Sequence, residues 1–391
     1  MQIVHNQNRH PLIANRTAFM IIGCLEAAWA PLVPYVKGAF SLDEGTLGLL
    51  MLCTGLGSII SLPISGLLCM KFGIKRVVYF SGSLMALALL AISLMVNVWL
   101  TAVMLMIFGG CTISIDVAAN INGVAVEHIK KRNLMSGFHG GYSLGTLMSA
   151  GLMSILFSLG MIPVWAVVIC MALILTAMII GCRDLLSKEG LVCANETADA
   201  QPVGKKRFHI PPMVIVVGLL CFIMYATEGA VMGWSAIFVS EERGVDISDA
   251  GFFYTAFAVM MTVMRFLGDK IIDRLGQRKV IVYGALFVAS GFLLVTLIPH
   301  IAATSVGFAL IGMGAANIVP QLISFASGIK GMAVQNTISI VNALGYSGIL
   351  LGPVAIGFVA KHYGLHTSFA GLAALALVVA VVSALALRRR S

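Results

Sequence analysis

Apolar residues run through this chain in long blocks, separated by short polar punctuation. A helix needs about 20 apolar residues to cross a bilayer. Twelve blocks approach or exceed that length, at 17–36, 47–70, 77–96, 99–123, 134–158, 161–182, 212–238, 250–268, 280–298, 302–325, 337–360 and 367–387. Short alternating segments of the barrel type are absent. The pattern predicts an all-α polytopic membrane protein, with the blocks numbered here as spans 1 to 12. One long polar stretch, "RDLLSKEGLVCANETADAQPVGKKRFHIP" at 183–211, reads as a cytoplasmic linker. It divides an N-terminal six-helix bundle (1–182) from a C-terminal one (212–391).

Composition agrees with this reading. The chain is 59% hydrophobic and 10% charged, with a mean hydropathy of +1.00; soluble domains carry roughly 25% charged residues. The net charge of +9 matters through its placement. With both termini on one side, 22 of the 25 Lys and Arg fall there, including Lys71, Lys75, Arg76, Lys130 to Arg132, Lys205 to Arg207 and Arg388 to Arg390. Only Lys37, Arg243 and Lys361 fall on the other side. That asymmetry predicts cytoplasmic termini. It accounts for the basic excess without nucleic acid, for which no motif is present. The eight Cys, among them Cys193 in the linker, show no C-x-x-C spacing, so neither a disulfide framework nor a metal site is indicated. No cofactor is expected. The first sixteen residues lack a signal-peptide pattern, so span 1 is expected to be retained. The sequon "NET" at 195–197 falls on the predicted cytoplasmic side and reads as a chance match.

The two halves repeat. Gly48 precedes Gly73 by 25 residues, and Gly251 precedes Gly276 by the same number. At that shift Lys71, Lys75 and Arg76 match Arg274, Arg278 and Lys279, and Glu26 matches Glu228 one residue out of step. The loop "GDKIIDRLGQRK" between spans 8 and 9 resembles the signature loop of the major facilitator superfamily. By that resemblance Asp269, Asp273, Arg274, Gly276, Arg278 and Lys279 belong to a gating motif. The copy after span 2, "GLLCMKFGIKR", keeps Gly66, Lys71, Gly73, Lys75 and Arg76 but has Met70 where the family usually has Asp. A charge relay on that side is therefore in doubt. "DVAANINGVAVE", "GFHGGYSLGT", "EGAVMGWSA", "GAANIVPQL" and "GYSGILLGP" are similar to the family's MosC-like branch. The resemblance implies twelve helices in two pseudo-symmetric bundles, with spans 1, 4, 7 and 10 around a central cavity. Transporters built from repeats hold their sites between them.

Three of the sixteen acids, Glu26, Asp116 and Glu228, lie inside spans 1, 4 and 7. A charge at a span's centre costs roughly 3 kcal/mol, so these groups must line water, find partners or carry protons. No Lys or Arg lies mid-span to pair with them, since Arg265 is near the cytoplasmic end of span 8. They are the candidate proton-coupling groups. His139 in span 5 joins them as a titratable imidazole, with a packing role equally open. In span 4 Thr112, Asp116 and Asn120 form a stripe at i, i+4 and i+8; in span 10 Asn317, Gln321 and Ser324 do so at i, i+4 and i+7. Trp29, Tyr142, Ser143, Tyr225, Trp234, Asn342 and Tyr346 complete the candidate substrate-binding set, with ordinary packing as the alternative for each.

These features predict a secondary transporter of a small polar solute, such as a sugar, polyol or amino-polyol, since ionisable residues inside spans mark solute pathways and proton relays. Similar sugar symporters of the superfamily carry acids in helices 1 and 4, which makes Glu26 and Asp116 the leading pair for proton coupling. A drug/proton antiporter for lipophilic cations is the alternative; the Gly-Pro signature such proteins carry in span 5 is missing from "GTLMSAGLMS". "GYSGILLGPVAIG" in span 11 reads as packing and bending. A solute receptor that moves nothing is the second alternative, and no ring of filter residues suggests a channel. No nucleotide-binding loop is present, so the chain is expected to be neither an enzyme nor an ATPase. Its expected partners are solute, H⁺ and lipid, and it is expected to act as a monomer.

Overall fold

The computed structural model describes residues 10–130, 134–186, 210–332 and 334–387, without the side chains of 128, 136, 269, 334–336 and 339. Lys131, Arg132, most of the linker with Cys193, the sequon and Lys205 to Arg207, and Arg388 to Arg390 lie outside the described residues. Among those described, every regular element is a helix.

In the first half span 1 is a helix over Pro11–Ala27, a 3₁₀ turn over Ala30–Leu32 and a short helix over Val33–Phe40. Pro31 and Pro34 lie at the break, where a missing backbone N–H costs least. Spans 2 to 6 are Glu44–Phe72, Ile74–Ser93, Val98–Lys130, Met135–Ser158 and Pro163–Gly181. In the second half spans 7 to 9 are Pro212–Arg243, Ile247–Leu275 and Gln277–Leu297. Span 10 comes in two pieces, Ile301–Ala315 and Ile318–Ser327. Spans 11 and 12 form the continuous stretch Val334–Ala386, interrupted at Gly364 (φ 82°, ψ 158°). Among the described residues eleven helical stretches are long and apolar enough to cross a membrane; the last, Ile340–Ala386, holds two spans, which gives twelve.

Span 1 begins six residues before the apolar block does, and its packing explains why. Asn15 is fully buried. Its Oδ1 accepts a hydrogen bond from Asn122 Nδ2 at 3.0 Å, and Asn122 Oδ1 accepts from the Leu186 N–H at 3.0 Å. An amide paired in this way can enter a helix interior that hydropathy alone would end.

The packing gives two compact units whose borders do not follow the sequence halves. One comprises Met1–Trp29, Cys53–Leu152 and Ile162–Val203; the other comprises Ala30–Leu52, Met153–Met161 and Gly204–Ser391. In the first, Phe19 stacks on Phe138 with centroids 5.8 Å apart. In the second, the six C-terminal spans are joined by the 30–52 and 153–161 segments. Tyr35 packs on Phe157 at 4.7 Å, and Phe238, Phe292, Phe308 and Phe369 form a buried aromatic cluster.

Candidate functional site

Each unit holds its own group of polar side chains on otherwise apolar helices. In the first unit Glu26 stands one residue before the first helix of span 1 ends. The Tyr142 hydroxyl of span 5 donates to Glu26 Oε2 at 2.8 Å. Two residues that the sequence assigned different roles, coupling and binding, are therefore in direct contact. In span 4 Asn120 Nδ2 donates to Asp116 Oδ1 at 3.0 Å and to the Asp116 carbonyl at 2.8 Å. Among the described residues no cation lies within pairing distance of Asp116. Thr112, the third member of that stripe, instead donates to the Phe108 carbonyl and the Met85 sulfur.

His139 lies in the first turns of the Met135–Ser158 helix, exposed, with its ring edge-on to Phe19 at 4.9 Å. Ser143 is buried and donates to the His139 carbonyl at 3.3 Å. Trp29 is buried at the border of the 3₁₀ turn.

In the second unit the ring of Tyr225 stacks on that of Tyr346, with centroids 5.3 Å apart and 28° between planes. Glu228, one turn from Tyr225, is not without a cation. Arg265 Nη2 lies 3.9 Å from its Oε2, and each side chain is about one-fifth exposed (22% and 21%). This corrects the expectation that the buried acids lack a basic partner. An arginine placed near a helix end still reaches several ångströms along the membrane normal through its flexible stem.

Trp234 is completely buried, and its indole nitrogen has no hydrogen-bond partner among the described residues. Asn317 opens the second piece of span 10. It is buried and donates to the Met264 carbonyl of span 8 at 2.9 Å, whereas Ser324 is exposed and Gln321 half-buried. The three residues thus do not share one environment. Asn342 is half-buried and Tyr346 exposed in span 11.

The signature loops keep their symmetry in three dimensions. Gly73 (φ 84°, ψ 151°) and Gly276 (φ 78°, ψ 152°) take nearly the same positive-φ conformation, which side chains disfavour. Lys75 Nζ donates to the Arg183 carbonyl at 2.9 Å, just beyond span 6. Its counterpart Arg278 donates to the Ala384 carbonyl at the end of span 12. Each loop thereby caps the last helix of its own half, where the negative helix end favours a cation. Lys71 lies 5.3 Å from the Phe72 ring centre. Arg76, Asp273, Arg274 and Lys279 are exposed, Gly66 is half-buried, and the Asp269 side chain lies outside the described residues.

Sequence reasoning set Arg265 aside as too near the helix end to pair, and missed the Asn15–Asn122 pair and an ion-pair cluster around Lys37. For the last, the available signal was that Lys37 and Lys361 belong to the three basic residues set apart from the other twenty-two.

The family model of the Major Facilitator Superfamily matches residues 17–330 and 217–391. An uncharacterized MFS-type transporter of Yersinia pestis is 37% identical over 391 residues, 99% of each chain. The membrane protein MosC of Rhizobium meliloti is 29% identical over 95% of this chain and 89% of its own. Two solved structures share the fold. The nucleoside transporter NupG has a TM-score of 0.74 at 12% identity, covering 96% of this chain and 98% of its own. A D-xylose-proton symporter has 0.71 at 15%, covering 95% and 96%.

Proposed function

Because the chain belongs to the Major Facilitator Superfamily, and is thus a transporter and not an enzyme, we propose that it carries a small polar solute together with protons by alternating access. The cargo class is a sugar, a polyol or an amino-polyol. The observation that carries this reading is the 2.8 Å hydrogen bond from Tyr142 to the Glu26 carboxyl inside the first unit. It ties a proton-exchanging group to a hydroxyl of the kind a polar solute can replace. Asp116, held by the amide of Asn120, supplies the second acid. The D-xylose-proton symporter of the same fold pairs a sugar with a proton, which is consistent with the same use here.

The roles follow from these contacts. Glu26 and Asp116 take up and release the proton, and Tyr142, Ser143 and Asn120 orient cargo beside them. In the second unit Glu228 exchanges its proton under the influence of Arg265, while the Tyr225–Tyr346 pair offers a flat apolar face for a ring. His139, Trp29, Trp234, Asn317, Gln321 and Asn342 are secondary contributors in this scheme. The signature-loop residues at Gly66 to Arg76 and Asp269 to Lys279 control opening at the cytoplasmic end. The protein sits in a bacterial inner membrane with both termini in the cytoplasm and works as a monomer.

The test is uptake into proteoliposomes under an imposed pH gradient, screened over sugars, polyols and amino-polyols. Accumulation that follows the gradient is expected. With Glu26→Gln it should fall to the level of protein-free vesicles while exchange of labelled for unlabelled cargo survives. Gradient-driven movement confined to lipophilic cations would instead identify the antiporter. Binding without any flux would identify a receptor.

A further inference from the structure

A pair of amides ties span 1 to span 4 at the end that the distribution of Lys and Arg assigns to the cytoplasm. Asn15 and Asn122 are both fully buried, and Asn122 Nδ2 donates to Asn15 Oδ1 at 3.0 Å. A Cβ at Gly123 would lie 3.0 Å from Asn15 Nδ2, so the glycine beside Asn122 leaves room for the amide. That same Nδ2 has no acceptor among the described residues. A buried amide satisfied on one side only is less stable than an apolar residue of the same size. Stability therefore does not account for an asparagine at position 15.

Both amides stand in a fixed relation to the acids of this unit. Asn15 and Glu26 are eleven residues apart, about three helical turns, and so share one face of span 1. Asn122 comes two residues after Asn120, whose amide holds Asp116. Span 5 travels with span 1: a Cβ at Gly23 would strike the Tyr142 carbonyl oxygen, and one at Gly145 the Met20 carbonyl oxygen. Tyr142, which donates to Glu26, is thereby fixed to span 1. Glu127 of span 4 adds a further tie at the same end, accepting from the Leu134 and Met135 N–H groups at the start of span 5.

We propose that Asn15 and Asn122 are positioning residues for proton exchange. Their hydrogen bond holds span 1, with span 5 packed on it, at one height against span 4, and so sets the surroundings in which Glu26 and Asp116 take up and release protons. A carboxyl's proton affinity depends on charges and hydrogen bonds within a few ångströms, and a slip of one helix along another changes them all. The pair itself carries no titratable group. The charged groups near it are engaged elsewhere or face water: Glu127 and Asp184 accept from backbone N–H groups, and Arg16 is exposed. His139 and Tyr142 of span 5 are the titratable groups that meet span 1, with Cys170 of span 6 near Cys24. Any change that follows loss of the pair therefore reaches the acids through geometry. The proposal rests on the proton-coupled reading, and its test needs no cargo.

The test follows the infrared absorption of protonated carboxyl groups against pH in membranes holding the full chain, with Glu26→Gln and Asp116→Asn assigning the two bands. In Asn15→Leu and in Asn122→Leu the midpoints should move by about half a pH unit or more, roughly a threefold change in proton affinity. The melting temperature should fall in both, because one amide is left buried and unpaired. In Asn15→Leu/Asn122→Leu it should return toward that of the parent chain, since both polar groups are gone, while the midpoints stay displaced. Asn15→Ser keeps an acceptor for Asn122 Nδ2; it should fold and leave the midpoints where the parent chain has them. Midpoints that never move, or that return with the melting temperature in the double variant, would overturn the proposal and leave the pair a packing contact. A shift with Asn15→Ser as large as with Asn15→Leu would do the same, because size rather than pairing would then decide. Absence of any titrating band assignable to Glu26 or Asp116 in the parent chain would instead remove the proton-coupled reading on which the proposal stands.

Discussion

The guanidinium of Arg265 and the carboxylate of Glu228 approach to 3.9 Å with about four-fifths of each side chain out of solvent. Removing one partner leaves the other as an uncompensated charge in poor surroundings, which in a fully buried pair costs about 3–5 kcal/mol. Partial exposure lowers that figure here. Thermal melts of Glu228→Gln, Arg265→Gln and the double variant should give a coupling of about 0.5–3 kcal/mol, with the double variant more stable than additivity predicts. Strictly additive losses would mean that water already separates the pair. At Glu26 the contact that can be tested is of another kind, a hydrogen bond that its carboxylate accepts from the Tyr142 hydroxyl at 2.8 Å. Tyr142→Phe should therefore retain the fold but weaken binding or coupling, and a change in cargo uptake with unchanged melting temperature is the expected outcome. A fall in stability of more than about 3 kcal/mol would exceed what a hydrogen bond to a charged group contributes and would make the contact structural.

At the level of single helices, the caps carry the testable content. Asp43 Oδ1 accepts from the Thr46 N–H at 2.8 Å, satisfying a free donor at the start of span 2. That backbone bond, with Lys361 beside it, holds the Asp43 carboxyl below its ordinary range. A depressed carboxylate stabilises the fold above its unfolded pKa, about 3.9, and loses that contribution as pH falls through the lower folded value. The difference in melting temperature between the native chain and Asp43→Asn should thus be present at pH 7 and shrink below about pH 4. A difference that stays constant with pH would assign the effect to shape rather than charge. The paired caps Lys75 and Arg278 should each contribute about 0.3–1 kcal/mol through the helix end they meet. Lys75→Gln and Arg278→Gln should accelerate hydrogen exchange at the ends of spans 6 and 12 respectively, and each should leave the other end unchanged. Much of this level was legible in the sequence. Twelve apolar blocks become twelve helical spans, and the gap between blocks 11 and 12 contains the break at Gly364. What hydropathy did not show is set by side-chain partners: Asn15 enters span 1 because Asn122 meets it, and span 10 divides at Asn317, whose amide meets the Met264 carbonyl. No window average contains such a partner.

On the scale of the molecule, the repeat was legible because duplication preserves spacing, and its loops match in the conformation of Gly73 and Gly276 and in the helix ends that Lys75 and Arg278 cap. The grouping of segments was not legible, because it depends on contacts between residues roughly one hundred or more positions apart. The 30–52 and 153–161 segments belong by sequence to the first half, yet they pack with the C-terminal spans. Tyr35 and Phe157 build one ring contact there, Met51 lies on Gly233, and Pro31 and Ser154 lie on Gly251, where a Cβ would approach them within 3.1 and 2.4 Å. Lys37 neutralises Glu241 in the same region. Residues 212–391 made alone would lack all of these surfaces, exposing small-residue grooves and an unpaired carboxylate. The fragment is therefore expected to be more sensitive to protease and to melt lower than the full chain, and co-expression with 1–211 should restore both properties. The same rescue should be weaker when the partner fragment carries Lys37→Met, because the ionic part of the contact is then missing. A fragment 212–391 as resistant alone as within the full chain would show that the first-half segments rest on an already complete bundle and contribute nothing to its stability.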